Sequence, residues 1–178
     1  SNQIAIIGGA GFVGSSLSSR FSKNNVSFKV LDIDISRQSS RLEYADVEDL
    51  NSLSKLNGIS TIINLAAVHR DNVQPLSRYE DVNVQGAVNV CIAAREHRIN
   101  KIIFTSSVAI YGFAPANTDE SGEVNYFNDY GRTKYLAEQV YKKWQAEDPD
   151  NRTLVIVRPT VIFGEGNRGN VYNLFKQI

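Results

Sequence analysis

The sequence predicts an α/β fold, a doubly wound parallel sheet with helices on both faces. Three observations carry this expectation. Short runs rich in β-branched residues alternate with amphipathic, helix-length segments. The first run, Ile4 to Ile7, leads directly into a glycine-rich turn and then a helical pattern. No internal repeat or low-complexity segment interrupts the alternation. Alternation of this kind leaves parallel strands that helices must cover on both sides. With 178 residues and 42% hydrophobic content the chain can bury one substantial core, so one main domain over 1–178 is expected.

The strand-like runs are IAIIGG, SFKVLDI, STIINLA, KIIFTSS and TLVIVRPT, with a minor one, RLEYADV, between the second and third. Helical patterns cover 11–23, 47–55, 79–98 and 130–147. In the third of these Val84, Ala87, Val88, Cys91 and Ala94 mark a core-facing stripe. The stretch 109–129, with Gly112, Pro115, Asn117 and Gly122, is too long for an ordinary connection and reads as functional.

Composition excludes several classes. Nineteen basic residues balance nineteen acidic ones, which argues against an extended nucleic-acid footprint. No apolar run approaches the ~20 residues of a membrane span. Cys91 is the only cysteine, so neither an internal disulfide nor a thiolate metal cluster is expected, and the cytoplasm is the expected compartment. Two histidines do not make a zinc site, so no metal is expected.

The glycine turn carries the first chemistry. Gly8, Gly11 and Gly14 fall at three-residue intervals, and Gly9, Gly11 and Gly14 satisfy G-x-G-x-x-G. Such glycines allow a tight turn, close approach of backbone to a pyrophosphate, and packing of helix on strand. The diphosphate then lies at a helix N-terminus, where unpaired N–H groups favour an anion. Asp32 ends the next strand and can accept both hydroxyls of an adenine ribose while repelling the extra phosphate of NADP, so NAD is the expected cofactor. Gly164, Gly166 and Gly169 repeat the G-x-G-x-x-G spacing, but no second strand or acidic residue follows them.

Tyr130 and Lys134, in NDYGRTKYLAEQ, stand four residues apart on one helix face. An ammonium beside a phenol lowers the phenol's pKa from ~10, which suits Tyr130 to act as a general base on a sugar or alcohol hydroxyl. Tyr172 and Lys176 repeat the spacing, and without motifs around them they read as helix packing. His69 reads as a loop or ligand-lining residue, and Cys91, on the apolar stripe, as core.

Together these residues resemble the extended short-chain dehydrogenase/reductases, in particular the NAD-dependent sugar-nucleotide epimerase/dehydratase branch, whose cofactor domain is Rossmann-like. The likeness runs from Ile4 to about Asn170. IIGGAGFVG resembles the family's nucleotide turn, which implies cofactor contacts from Gly8, Gly11, Phe12, Val13 and Gly14. Asp46 and Val47 resemble the pair that holds adenine. Leu65, Ala66 and Ala67 in INLAAVH match the segment along the pyrophosphate and nicotinamide ribose, with Asn64 where histidine is usual. Asn83 in DVNVQGAVNV matches an asparagine that positions the active site. FTSSVAIYG resembles the catalytic strand end, which implies Ser107 as the third catalytic residue beside Tyr130 and Lys134. VRPTVIFGEGN resembles the segment that closes over nicotinamide and substrate, implying roles for Pro159 and Asn167.

The resemblance implies C4 epimerisation of a nucleoside-diphosphate hexose through a 4-keto intermediate. A 4-keto-sugar reductase shares the same trio and stays open, as does a non-catalytic sensor or scaffold. Dehydratases of the family carry Thr-Asp-Glu at the strand end, where this chain reads Thr105-Ser106-Ser107-Val108, so dehydration is not expected. The family's C-terminal substrate lobe is expected to be absent from these residues, with only the start of the substrate-binding region at about 160–178. A homodimer through 79–98 and 130–147 is the expected assembly.

Overall fold

A computed structural model describes residues 2–37, 39–68, 73–167, 173, 174 and 176. Six parallel strands form one sheet in the order β3-β2-β1-β4-β5-β6: β1 Ile4–Ile7, β2 Phe28–Asp32, β3 Leu42–Tyr44, β4 Thr61–Asn64, β5 Lys101–Thr105 and β6 Thr153–Val157. Registers run unbroken from Ile4↔Phe28 and Ile4↔Thr61 to Lys101↔Thr153. The order reverses between β1 and β4, and ligands of open α/β sheets bind in the crevice beyond the strand ends at such a switch.

Alternate residues of each strand face opposite layers. Ala5, Ile7, Leu31, Ile62, Ile102 and Phe104 point into the larger core, where Ala87, Val90, Cys91, Ala137, Tyr141 and Trp144 meet them from helices α3 (Gly86–Glu96) and α4 (Asp129–Ala146). Ile6, Phe28 and Val30 point the other way, onto Leu17 and Phe21 of α1 (Phe12–Lys23). Helices thus cover both faces. Cys91 is core, and burial raises its thiol to about 12.

Two expected helices take different forms. The segment expected over 47–55 is a 3-10 helix, Leu50–Leu56. Leu50, Leu53 and Leu56 recur every three residues, the period at which 3-10 side chains eclipse, and Leu53 and Leu56 are fully buried. Ser52 Oγ also donates towards the carbonyls of Asp46 and Asp49, competing with regular α-helical bonding. The segment expected over 79–98 begins as a single turn, α2 (Ser77–Tyr79), runs through a π-helical stretch at Glu80–Gln85, and becomes α3. Of the expected stripe Ala87, Cys91 and Ala94 are buried, joined by Asn83, Asn89, Val90 and Ala93, while Val84, in the π-helical stretch, and Val88 are only half-buried. The long connection after β5 opens with a 3-10 turn, Val108–Tyr111, and then runs without helix or strand to α4.

Candidate active site

The switch point is built by glycines with distinct jobs. Gly8 has φ +72°, and a Cβ there would stand 2.6 Å from the Ala66 nitrogen, so β1 can turn against the end of β4 only with glycine. Added Cβ atoms at Gly9 and Gly14 would strike Val30 and the Gly9 backbone respectively. Gly11 differs: it caps α1 without a side-chain hydrogen bond, and a Cβ would meet only the Gly8 carbonyl oxygen at 3.7 Å. The turn therefore packs tightly on its protein side and is open at the helix N-terminus. That arrangement fits the diphosphate of a dinucleotide.

Asp32 stands at the end of β2 with its carboxylate over this turn. Ala10 N–H donates to Oδ2 at 2.8 Å and Asp34 N–H to Oδ1 at 2.9 Å, so the side chain also shapes the loop it serves. Arg37 donates to Ser15 Oγ at 2.9 Å, and with Arg41 lines a cavity of about 380 Å³ between α1 and the β2–β3 connection. Asp46 is half-buried and accepts from Glu48 N–H. Val47 is packed in the core, its side chain 2.8 Å from where a Cβ on Gly86 would lie.

At the end of β4 Asn64 is buried. Its Nδ2 donates to Tyr141 Oη at 2.7 Å, and its Oδ1 accepts from Ala66 N–H. The departure from histidine thus ties β4 to α4. Leu65, Ala66 and Ala67 are half-buried along the crevice. Asn83, also buried, accepts from Val68 N–H at 2.9 Å and donates to Thr133 Oγ1 at 3.0 Å, gripping α4 one residue before Lys134.

Ser107 caps the 3-10 turn after β5, its Oγ accepting from Ala109 N–H at 3.1 Å. The Ala109 carbonyl oxygen lies 2.5 Å from where a Cβ on Gly131 would stand, so Gly131 lets the first turn of α4 press onto the Ser107 turn. Asn128 caps α4 by accepting from Gly131 N–H at 2.8 Å. Tyr130, half-buried in that first turn, lines a cavity of about 410 Å³ with Leu76, Tyr79, Phe127, Asn128 and Asp129.

Lys134, one turn on, is only 3% exposed. Its Nζ lies 4.5 Å from the centre of the Phe104 ring. Burial lowers the ammonium to about 7, opposed by the field of Glu138. A buried lysine whose ammonium is lowered towards neutrality, one turn from a cavity-lining tyrosine, is a mark of a functional site.

The segment after β6 approaches the same end of the sheet. Pro159 accepts from Val108 N–H at 3.2 Å, and the Phe12 ring lies 3.1 Å from where a Cβ on Gly164 would stand. Asn167 donates to the Ile162 carbonyl at 2.8 Å, folding the turn that carries Gly164 and Gly166. His69, Gly169 and Tyr172 lie outside the described residues. Among the described residues no cluster of potential metal ligands occurs, and no helix is long and apolar enough to cross a membrane.

Sequence reasoning did not single out Gly131, Glu138 or Arg158. A signal for Glu138 exists: Lys134, Ala137, Glu138, Tyr141 and Trp144 follow helical spacing, so two charges sit on the buried stripe.

Fold and crevice together define a dinucleotide-binding α/β domain with a Ser/Tyr/Lys set at one end of the sheet. The chain belongs to the NAD dependent epimerase/dehydratase family, whose sequence pattern matches residues 4–177. It is 45% identical over 183 residues to the N-acetyl-α-D-glucosaminyl-diphospho-ditrans,octacis-undecaprenol 4-epimerase of Escherichia coli O157:H7, covering 99% of this chain and 54% of that protein. It is 27% identical over 181 residues to the bifunctional UDP-glucose 4-epimerase and UDP-xylose 4-epimerase 1 of Pisum sativum, covering 88% of this chain and 51% of that one. Among solved structures, UDP-glucose 4-epimerase from Brucella ovis in complex with NAD matches with a TM-score of 0.81 and 26% identity, over 89% of this chain and 51% of that one. The chain spans about half the length of the curated relatives it matches.

Proposed function

We propose that this chain is the cofactor-binding and catalytic part of an NAD-dependent epimerase acting at C4 of a diphosphate-linked hexose. The observation that carries the reading is α4, which sets Tyr130 on an open cavity and buries Lys134 one turn behind it. NAD, when bound, takes a hydride from the sugar carbon and returns it. Gly11 and the α1 N-terminus hold its diphosphate, and Asp32 its adenine ribose, with Phe12, Val13, Asp46 and Ala66 beside them. Tyr130, as phenolate, removes the proton from the 4-hydroxyl and gives it back after the keto-sugar has turned over. Ser107 aligns that oxygen. Lys134 stabilises the phenolate and holds the nicotinamide ribose hydroxyls. Pro159 and Asn167 belong to the segment that closes over the site, where the substrate-binding region at about 160–178 begins.

Elimination of water is not part of this reading. Thr105, Ser106, Ser107 and Val108 put no carboxylate at the end of β5. The Thr118-Asp119-Glu120 triplet lies in the exposed connection, where Asp119 accepts from Ser121 N–H and Oγ–H.

A nucleoside diphosphate is the carrier expected from the family pattern. The relative at 45% identity is named for a polyprenyl diphosphate N-acetylhexosamine, which favours a lipid-linked sugar as a second reading. The lone cysteine favours the cytoplasm, and two copies are proposed to pair through 79–98 and 130–147; light scattering giving a single-chain mass would remove the dimer. The test of function uses a longer polypeptide with NAD, offered UDP-glucose, UDP-N-acetylglucosamine, dTDP-glucose, GDP-mannose and N-acetylglucosaminyl diphospho-undecaprenol, with products inspected by NMR. A C4 epimer of one of them is expected. A 4-keto-6-deoxy product would overturn the reading, and conversion only with added reduced cofactor would establish a reductase.

A further inference from the structure

Behind the candidate site lies an ion pair that the reaction as described does not use. Glu138 is fully buried on α4, one turn beyond Lys134 and on the same face. Arg158, immediately after β6, grips it with both arms: Nε donates to Oε1 at 2.9 Å and Nη2 to Oε2 at 2.7 Å. The remaining arm, Nη1, donates to Tyr111 Oη at 2.5 Å and to the Glu120 carbonyl at 3.1 Å. One guanidinium is therefore fixed by the catalytic helix, by the turn that follows Ser107, and by the long connection that leads to Tyr130. A bidentate pair of this kind is rigid, and breaking one partner leaves the other buried without compensation.

We propose that Glu138 is a positioning residue for Lys134, supplying the counter-charge that keeps its ammonium protonated, while Arg158 sets how much of that charge Lys134 feels. The proposal rests on the reading of Lys134 as the residue that stabilises Tyr130 and holds the cofactor ribose. The surroundings of Lys134 leave few other sources of charge. On α4 itself Tyr130 precedes it and Glu138 follows it. Phe104 of β5 presents an uncharged ring. Tyr141, two turns on, is held un-ionised by burial, with its hydroxyl bonded to Asn64. Arg158 is bonded to Glu138 and to Tyr111, and so sets the charge that Glu138 presents. Burial favours the neutral amine, and Glu138 is the group that opposes it.

The two partners must then act with opposite sign. Replacing Glu138 by Gln removes the counter-charge and lowers the pH at which Lys134 loses its proton. Replacing Arg158 by Met frees Glu138 from its guanidinium, lets Lys134 feel more of the carboxylate's charge, and raises that pH. A pair that only braced the fold would give both variants the same kind of loss.

The test is a pH titration of the lysine Cε and Hε signals by NMR in the cofactor-free chain, with the Lys134 signal identified by its absence in Lys134→Met. Glu138→Gln should lower the midpoint by about one pH unit or more, and Arg158→Met should raise it by a similar amount. Should either single variant fail to fold, Glu138→Gln combined with Arg158→Met removes both charges together and should show the lowered midpoint. Unchanged midpoints, or shifts of the same sign in both single variants, would overturn the proposal. NAD affinity measured by calorimetry across the same pH range separates this from the reading beneath it. Affinity that ignores pH while the midpoints move as stated would uphold the role of Glu138 and remove Lys134 as a cofactor ligand.

Discussion

Lys134→Met should stabilise the chain, by an amount that depends on pH. Burial moves the ammonium from its ordinary 10.5 to about 7. At about 1.4 kcal/mol per pH unit that difference costs the folded state about 5 kcal/mol once the unfolded lysine is fully protonated. The sign follows from proton binding. Between about pH 7 and 10.5 the unfolded chain holds the proton and the folded chain does not, so stability from this group rises with pH across that window and is lowest below it. Methionine is similar in length and carries no charge, so it removes the penalty. Loss of the ammonium's contact with the Phe104 ring takes back about 1–2 kcal/mol, leaving a net gain of about 3 kcal/mol at pH 6.5. That gain should shrink by about 2–3 kcal/mol by pH 9. Urea unfolding at both pH values measures it: with a slope of about 2 kcal/mol per molar, the midpoint should rise by about 1.5 M at pH 6.5 and by a few tenths at pH 9. Cys91 and Tyr141, whose ionisation burial opposes, destabilise the folded state at high pH in both proteins, so the difference between variant and parent is the observable. A gain that is the same at both pH values, or a loss at pH 6.5, would refute the assignment of a buried lysine whose proton burial makes easier to lose.

Gly8→Ala should cost about 2 kcal/mol or more of stability, from its positive φ and a clash with Ala66, read as a fall in urea midpoint. Gly11→Ala should fold within about 1 kcal/mol of the parent yet lose at least about tenfold in NAD affinity by calorimetry, and Gly11→Val should weaken NAD and NADP alike. Asp32→Ala should narrow the preference for NAD over NADP, since Arg37 and Arg41 remain nearby to meet a 2′-phosphate; equal affinities in the parent would sink this assignment. Gly131→Ala should push α4 off the Ala109 carbonyl, costing about 1–3 kcal/mol in the same unfolding assay. In a longer, active polypeptide Tyr130→Phe should keep NAD binding and lose turnover by at least about a hundredfold.

Five of the six strands were legible because they fall in short runs rich in β-branched residues, and the glycine turn marks the first of them, whereas β3 (Leu42–Tyr44) has no β-branched residue and its run reads only as a minor strand. What misled was periodicity in two helices. Leu50, Leu53 and Leu56 suit either helix type over so short a span, and only the Ser52 side chain competing for backbone carbonyls hints at the tighter form. In the third helical pattern Ala87, Cys91 and Ala94 are buried as the stripe predicts, while Val84, inside the π-helical stretch, and Val88 are only half-buried. Neither error moved a strand or the start of α4.

The site divides along a physical line. Residues defined by backbone chemistry, such as Gly8 and Gly11, could be read from spacing alone, because a turn of fixed geometry demands them. Tyr130 and Lys134 could be found as a pair, yet that pattern shows neither residue's environment, and Tyr172 with Lys176 matches it equally well. The environment comes from distant chain: Phe104 from β5, Arg158 from beyond β6, and Glu138 one turn away but gripped by Arg158. Val47 shows the same limit, since its place against Gly86 follows from how α3 crosses the sheet. Lys134 occupies a stripe position that an apolar residue would fill at lower cost in free energy. A chain that tolerates several kcal/mol of destabilisation at one buried position is expected to use the charge there. That inference from energetics points to α4 independently of any likeness to other proteins.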